Sequence, residues 1–394
     1  MEAKKKSQRI LALDILRGIT IAGMILVNNP GSWVDIYAPL RHAEWNGLTP
    51  TDLVFPFFMF MMGISTYISL KKFHFAFSAA VGRKIIRRTV LIFVIGMAIG
   101  WFSRFCYYWS SAPSELSFWD NLWASVWTFD RMRILGVMQR LALCYCVASL
   151  IALTVRHRFI PWIIGILLSL YAFILLIGNG YVYGEENILS IVDSTILTPA
   201  HMYRDNGIDP EGLLSTLPSI AHVLIGFCVA RMTFGNQLSK EKQTKEEKQT
   251  NEEKHLPLLV KLFLAGALLT MVGWLLSYGL PINKKIWSPT YAIITCGMAS
   301  TLLAILIWFI DVKGYRRWSL FFESFGVNSL FMYMLGGVLS ILLGSTGIHR
   351  WIYDQLLAPL FGLTGGSLAY ALLFIGLCWL IGYPLYKKGI YIKI

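Results

Sequence analysis

Residues 160–178 read IPWIIGILLSLYAFILLIG, nineteen consecutive positions without a charged side chain. An α-helix rises about 1.5 Å per residue, so such a run reaches across the ~30 Å hydrocarbon layer of a bilayer. Nine more apolar runs fall at about 10–30, 50–70, 89–108, 134–154, 213–233, 257–279, 289–310, 319–343 and 366–386. The composition of the 394 residues agrees, with 56% hydrophobic and only 14% charged, where a soluble domain carries roughly 25% charged. Mean hydropathy is +0.58. Backbone N–H and C=O groups in lipid must be satisfied within the protein, which makes helices of these runs. The expected fold class is all-α, a polytopic transmembrane helix bundle of about ten spans.

The formal net charge is +13. A basic chain invites nucleic acid as a partner, but here the cations gather at the ends of apolar runs. The connections 1–9, 71–88, 155–159, 231–256, 312–317 and 387–394 hold 24 of the 35 Lys and Arg, and the alternate connections hold few. The positive-inside rule assigns this group, and both termini with it, to the cytoplasm. The expected partner is therefore the lipid bilayer, with no nucleic acid. The leader MEAKKKSQRI resembles the start of a signal peptide, but Asp14 and Arg17 interrupt the apolar run behind it and no small-x-small site follows. It reads as the basic lead of a retained first span. Residues 236–255, NQLSKEKQTKEEKQTNEEKH, mix charges with almost no apolar side chains and cannot build a core. Three parts are expected: an N-terminal bundle of about six spans with a catalytic loop (1–235), a charged cytoplasmic loop (236–256), and a C-terminal bundle of about four spans (257–394). The six cysteines show no CxxC or zinc spacing, and no metal is expected.

The outward connections 31–49 and 179–212 are rich in Trp, Tyr, Asn, Gly, Asp and His. They suit a polar site or an interfacial aromatic belt. In the first run, Asp14 and Arg17 share a helix face. Either they pair, or Arg17 meets an anionic ligand from the cytoplasm. Asn28 closes that run, as a cap or as a pocket wall. In RHAEWNGLTPTD (41–52), Thr49, Pro50 and Asp52 fit the N-cap, N1 and N3 positions of the next helix. His42 has no such structural explanation, and histidine suits base or nucleophile work at neutral pH. Arg133 and Arg140 are seven apart and expected on one helical face, beside Gln139. They either pair with Asp120 or Asp130, or grip a phosphate or carboxylate. The loop PINKKIWS (281–288) carries Lys284 and Trp287. Asn328 and Ser329 either join helices or touch a ligand.

A set of longer stretches occurs in order: LALDILRGITIAGMILVNN (11–29), RHAEWNGLTPTDLVFPFFMFMMG (41–63), RILGVMQRLALCY (133–145), DPEGLLSTLPSI (209–220), PINKKIWSPTY (281–291), DVKGY (311–315), FGVNSLFMY (325–333) and KKGIYIKI (387–394). Together they resemble the heparan-α-glucosaminide N-acetyltransferase family in its bacterial form, across nearly the whole chain. The resemblance implies a transmembrane acyltransferase. It would move an acetyl group from cytoplasmic acetyl-CoA, its co-substrate, to the amine of a glucosamine-type sugar or glycan acceptor on the outer side. In lysosomal members that acceptor is the terminal glucosamine of heparan sulfate. The family's active histidine falls on His42, with Asn46 in the same motif and Asp52 close behind as the third catalytic candidate. Asn28, Arg133, Gln139, Arg140, Lys284, Trp287, Asn328 and Ser329 also fall on motif positions. With Arg17 they are the candidates for holding acetyl-CoA. A homodimer is implied as well, and the compact form suggests a bacterial inner membrane.

Two mechanisms fit. His42 attacks the thioester and carries the acetyl group, or it deprotonates the amine while both substrates are bound. Asp52 would orient the imidazole, and Asn28 or Asn46 would stabilise the oxyanion. The alternative from another class is an amino-sugar or small-glycan transporter, which needs no catalytic residue. The lack of an internal repeat argues against it.

Overall fold

The computed structural model describes residues 10–113, 115–203, 205–235 and 251–392, and every regular element among them is helical. The basic leader and most of the charged 236–256 stretch lie outside the described residues. In order come α1 (Leu11–Asn28), α2 (Val54–Lys71) behind a 3-10 turn at Pro50–Leu53, α3 (Ala79–Ser111), α4 (Phe118–Val126), α5 (Val137–Thr154), α6 (Ile160–Ile177), α7 (Ile188–Leu197) and α8 (Thr216–Phe234). Then follow α9 (Asn251–Leu276), α10 (Pro289–Leu306), α11 (Leu320–Val327), α12 (Ser329–Ser345) and α13 (Ala358–Lys387). Nine of these stretches are long and apolar enough to cross a membrane, or ten when α11 and α12 count as one broken span. That pair meets at 91°.

Polar caps satisfy the helix ends. Ser78 accepts from Val81 N at 3.3 Å to open α3, and Ser288 accepts from Tyr291 N at 3.3 Å to open α10. The first turn of α1 is capped from far away in sequence. Leu11 N and Ala12 N donate to the Asp311 carboxylate at 3.3 and 3.2 Å.

Glycines let the central helices touch. A Cβ on Gly18 would lie 1.7 Å from Phe322 O, and one on Gly326 would lie 1.7 Å from Asp14 O. The α1 and α11 backbones are therefore in direct contact, a small-residue seam of the kind that joins helices in lipid. Gly63 and Gly226 make the same seam between α2 and α8, at 2.1 Å from Val223 O and 2.3 Å from Phe60 O. The span containing α8 is 78% buried and that of α3 only 11%, so α8 is central and α3 peripheral. One apolar core cluster draws residues from both sides of the 236–250 stretch.

The connections fall into two groups. At one end the segments 29–53, 178–215 and 277–288 converge: Trp45 Nε1 donates to Tyr181 O at 2.8 Å, and Gly47 N to Ile282 O at 2.8 Å. At the other end Lys71 Nζ closes α8 by donating to Phe234 O and Gly235 O at 3.3 and 3.0 Å. The two groups are the same two that the charge alternation separates.

Candidate active site

The site starts from a helix cap. Thr49 and Asp52 form a capping box on the 3-10 turn. Thr49 N and Oγ1 donate to Asp52 Oδ2 at 3.1 and 2.9 Å, and Ala43 N adds a third donor at 3.1 Å. Tyr291 of α10 donates to the Asp52 backbone oxygen at 2.7 Å, which locks the turn to the bundle. Asp52 is fully buried. Its Oδ1 takes His42 Nδ1 at 2.7 Å, the shortest contact of the carboxylate. A carboxylate receiving only donors is an acceptor, so Nδ1 carries the ring proton and Nε2 keeps its lone pair. Capping and orientation thus fall to the two oxygens of one side chain.

Lys284 approaches the same ring. Its Nζ is 2.8 Å from Nδ1, 3.2 Å from Nε2 and 3.5 Å from Asp52 Oδ1. Burial pushes its pKa down, against the upward pull of Asp52 and Glu211. The loop that presents it is built around Asn283, whose N donates to Ser288 Oγ at 3.0 Å and whose Oδ1 accepts from Ile286 N at 3.2 Å. Trp287 in this loop sits at φ +51°, a left-handed conformation costly for a bulky side chain. Asn46 braces the loop from the His42 segment, its Oδ1 accepting from Asn283 Nδ2 at 3.2 Å.

A second layer is ionic. Arg133 donates to both oxygens of Asp209, through Nε at 3.2 Å to Oδ2, and to Glu211 Oε2 at 2.6 Å. Burial would raise the pKa of Glu211, but Arg133, Arg140 and Lys284 bring it below the usual value. The expectation that Arg133 and Arg140 share a helical face fails, because α5 starts only at Val137. They converge instead because the 209–215 loop folds across both. Asp120 and Asp130 are not their partners: Asp120 accepts from Ser117, and Asp130 lies 3.8 Å from Arg131. Arg140 is fully buried, donates to Gly212 O at 3.2 Å and to Ser215 Oγ, and stands 5.3 Å over the Trp287 ring. Gln139 is buried against α3, where a Cβ on Gly96 would meet its Oε1 at 2.8 Å.

Arg17, Asn328 and Ser329 lie apart. Arg17 pairs with Asp14 at 3.1 Å and donates to Ser65 Oγ at 2.8 Å. Ser65 is thirteen residues beyond Asp52, roughly 20 Å along α2. Asn328 sits at the bend between α11 and α12, where it donates to Ile390 O and accepts from Ile392 N, both at 2.9 Å. Ser329 opens α12 beside it, and α11 touches α1 at Asp14, so both belong to the Arg17 end. Asn28 ends α1 exposed. Asp209, Glu211 and Asn283 were not singled out from sequence, although each lies inside a quoted motif.

A profile of the family described as Heparan-alpha-glucosaminide N-acetyltransferase, catalytic, matches residues 9–261. Two curated relatives bear the name heparan-alpha-glucosaminide N-acetyltransferase. The Homo sapiens protein is 26% identical over 444 residues, covering 98% of this chain and 60% of the relative. The Mus musculus protein is 25% identical over 383 residues, covering 84% and 54%. The chain spans somewhat more than half the length of these relatives. Since the profile takes in more than half of its residues, including the whole His42–Asp52 segment, the chain belongs to the heparan-alpha-glucosaminide N-acetyltransferase catalytic family.

Proposed function

We propose that this membrane protein transfers an acetyl group from acetyl-CoA to the amine of a glucosamine-type sugar, with His42 as the residue that handles the acetyl transfer. The observation that carries this is His42 Nδ1 held at 2.7 Å by the buried Asp52, which leaves Nε2 as the ring nitrogen to meet a substrate on a side chain that stays 39% exposed. Asp52 balances the positive charge that the imidazole acquires, whether by acylation or by protonation. Asn46 has its Oδ1 engaged by Asn283, so its amide N–H groups are the donors offered to the tetrahedral oxyanion.

The donor enters from the cytoplasm and the acceptor from the outside, by the charge asymmetry of the connections. CoA is too charged to cross hydrocarbon, but its thioester ends a long thin arm. Arg17 and Asn328 line the end where the nucleotide is held, and Arg133, Gln139, Arg140, Lys284 and Trp287 line the end where the thioester arrives. The setting is a bacterial inner membrane with both termini in the cytoplasm.

The test uses purified wild type and His42→Ala in detergent with labelled acetyl-CoA. Wild type labels glucosamine or glucosamine-ended oligosaccharides, and the variant loses at least about 100-fold in rate. Label left on the protein without acceptor identifies His42 as nucleophile, and its absence identifies it as base. Acetyl-CoA binding with no transfer to any amine would overturn the acceptor. No acetyl-CoA binding at all would overturn the enzyme and favour an amino-sugar transporter.

A further inference from the structure

Resting on that assignment of His42, we infer that Lys284 is the proton carrier of the transfer: it protonates the departing sulfur and recovers a proton from the acceptor nitrogen. Lys284 Nζ lies closer to both ring nitrogens of His42, at 2.8 and 3.2 Å, than to Asp52 Oδ1 at 3.5 Å. An ion pair with Asp52 alone would draw the ammonium to the carboxylate. Asp52 already accepts from His42, Ala43 and Thr49, and Lys284 is only at the edge of its reach. The 3.2 Å from Nζ to Nε2 is within direct proton-transfer reach.

The groups facing Lys284 fit a shuttle. His42 and Asp52 approach from the connection between α1 and α2, Glu211 from the loop before α8, and Lys285 from its own loop. Lys285 is drawn off by Asp205 at 2.8 Å, and Glu211 by Arg133. Burial favours the neutral amine, so Lys284 releases a proton more readily than an ordinary lysine.

The steps balance on either route. With His42 as nucleophile, the Nε2–carbon bond forms and the carbon–sulfur bond breaks. The Lys284 ammonium gives its proton to the thiolate and becomes neutral. The sugar ammonium loses one proton to solvent on binding. Its neutral nitrogen then attacks, the carbon–Nε2 bond breaks, and the second nitrogen proton passes to Lys284. With His42 as base, Nε2 takes that proton directly, the Lys284 ammonium protonates the sulfur, and the ring returns the proton to Lys284 across 3.2 Å.

The test measures kcat and KM against pH for wild type, Lys284→Gln and Lys284→Arg, full-length in detergent, with acetyl-CoA and glucosamine. Lys284→Gln is expected to lose about 100-fold or more in kcat, with KM for acetyl-CoA within about twofold, and to lose the alkaline limb of the profile. Arginine keeps the charge but does not release a proton at working pH, so Lys284→Arg fails to restore kcat. Wild-type kcat in Lys284→Arg would overturn the proposal, since charge alone would then suffice. An unchanged alkaline limb in Lys284→Gln would overturn it too. If both variants unfold, a wild-type kcat insensitive to D2O overturns the proposal, and a slowing of about twofold or more supports it. Inactivity of the wild type itself would count against His42 instead.

Discussion

At the scale of single residues, Asp52 is asked for two things that asparagine cannot give at once. Asp52→Asn must turn its NH2 either toward the donors Ala43 and Thr49 or toward His42 Nδ1. We expect kcat to fall by about 10³-fold or more through loss of the correct tautomer. Stability should fall by about 1–2 kcal/mol through the weakened cap. Kinetics and thermal unfolding on the same preparation check the two numbers. Comparable losses in both would reduce Asp52 to a cap. Asp193 in α7 makes a separate case. It is fully buried, and burial lifts its pKa to about 6 against the N–H bonds from Leu213 and Leu214. The folded state therefore holds this proton more tightly than the unfolded chain. Stability from this group is full below about pH 4 and declines as pH rises through 6, by at most about 3 kcal/mol. Asp193→Asn keeps the Oδ1 acceptor and removes the charge, so its Tm should change less than that of wild type between about pH 4.5 and 7. Parallel Tm profiles would show that Asp193 does not titrate in this range.

At the scale of elements, the seams decide which glycines are indispensable. A methyl on Gly226 must push Phe60 O away from 2.3 Å, and both atoms belong to rigid helix backbones. Gly226→Ala should therefore cost about 1–3 kcal/mol and reduce activity, because α2 continues directly from the turn that holds Asp52. Gly165→Ala in α6 meets nothing within 4 Å and should be neutral. Equal Tm values for the two variants would contradict a tight α2–α8 contact. Hydropathy found every span but not their ends. The expected run at 89–108 begins at Ala79 in α3, because Arg83, Lys84, Arg87 and Arg88 extend the helix beyond its apolar part. The run at 319–343 looked like one helix, since an apolar pattern carries no sign of the 91° bend at Asn328. The cap at Thr49 was legible because its partners are three residues apart.

At the scale of the whole molecule, contacts close in sequence were readable and distant ones were not. His42 and Asp52 are ten residues apart in one motif, whereas Lys284 reaches His42 across 242 residues. Nothing in the spacing of PINKKIWS says which lysine turns inward, and only the folded loop around Asn283 decides it. The charge pattern, by contrast, sorted the connections into a cation-rich and a cation-poor group, and the three that converge around His42 all belong to the cation-poor one. That arrangement makes a prediction about sidedness. Tyr278 follows α9 at the His42 end and is 93% exposed, and Tyr315 follows α10 at the other end and is 60% exposed. With the Lys- and Arg-rich connections inside, a membrane-impermeant maleimide on intact bacterial cells should label Tyr278→Cys, and should label Tyr315→Cys only after lysis. The six native cysteines are buried or half-buried, so the unmodified chain sets the background. The reverse pattern would put His42 on the cytoplasmic side, where donor and acceptor would meet without the acetyl group having to cross the membrane.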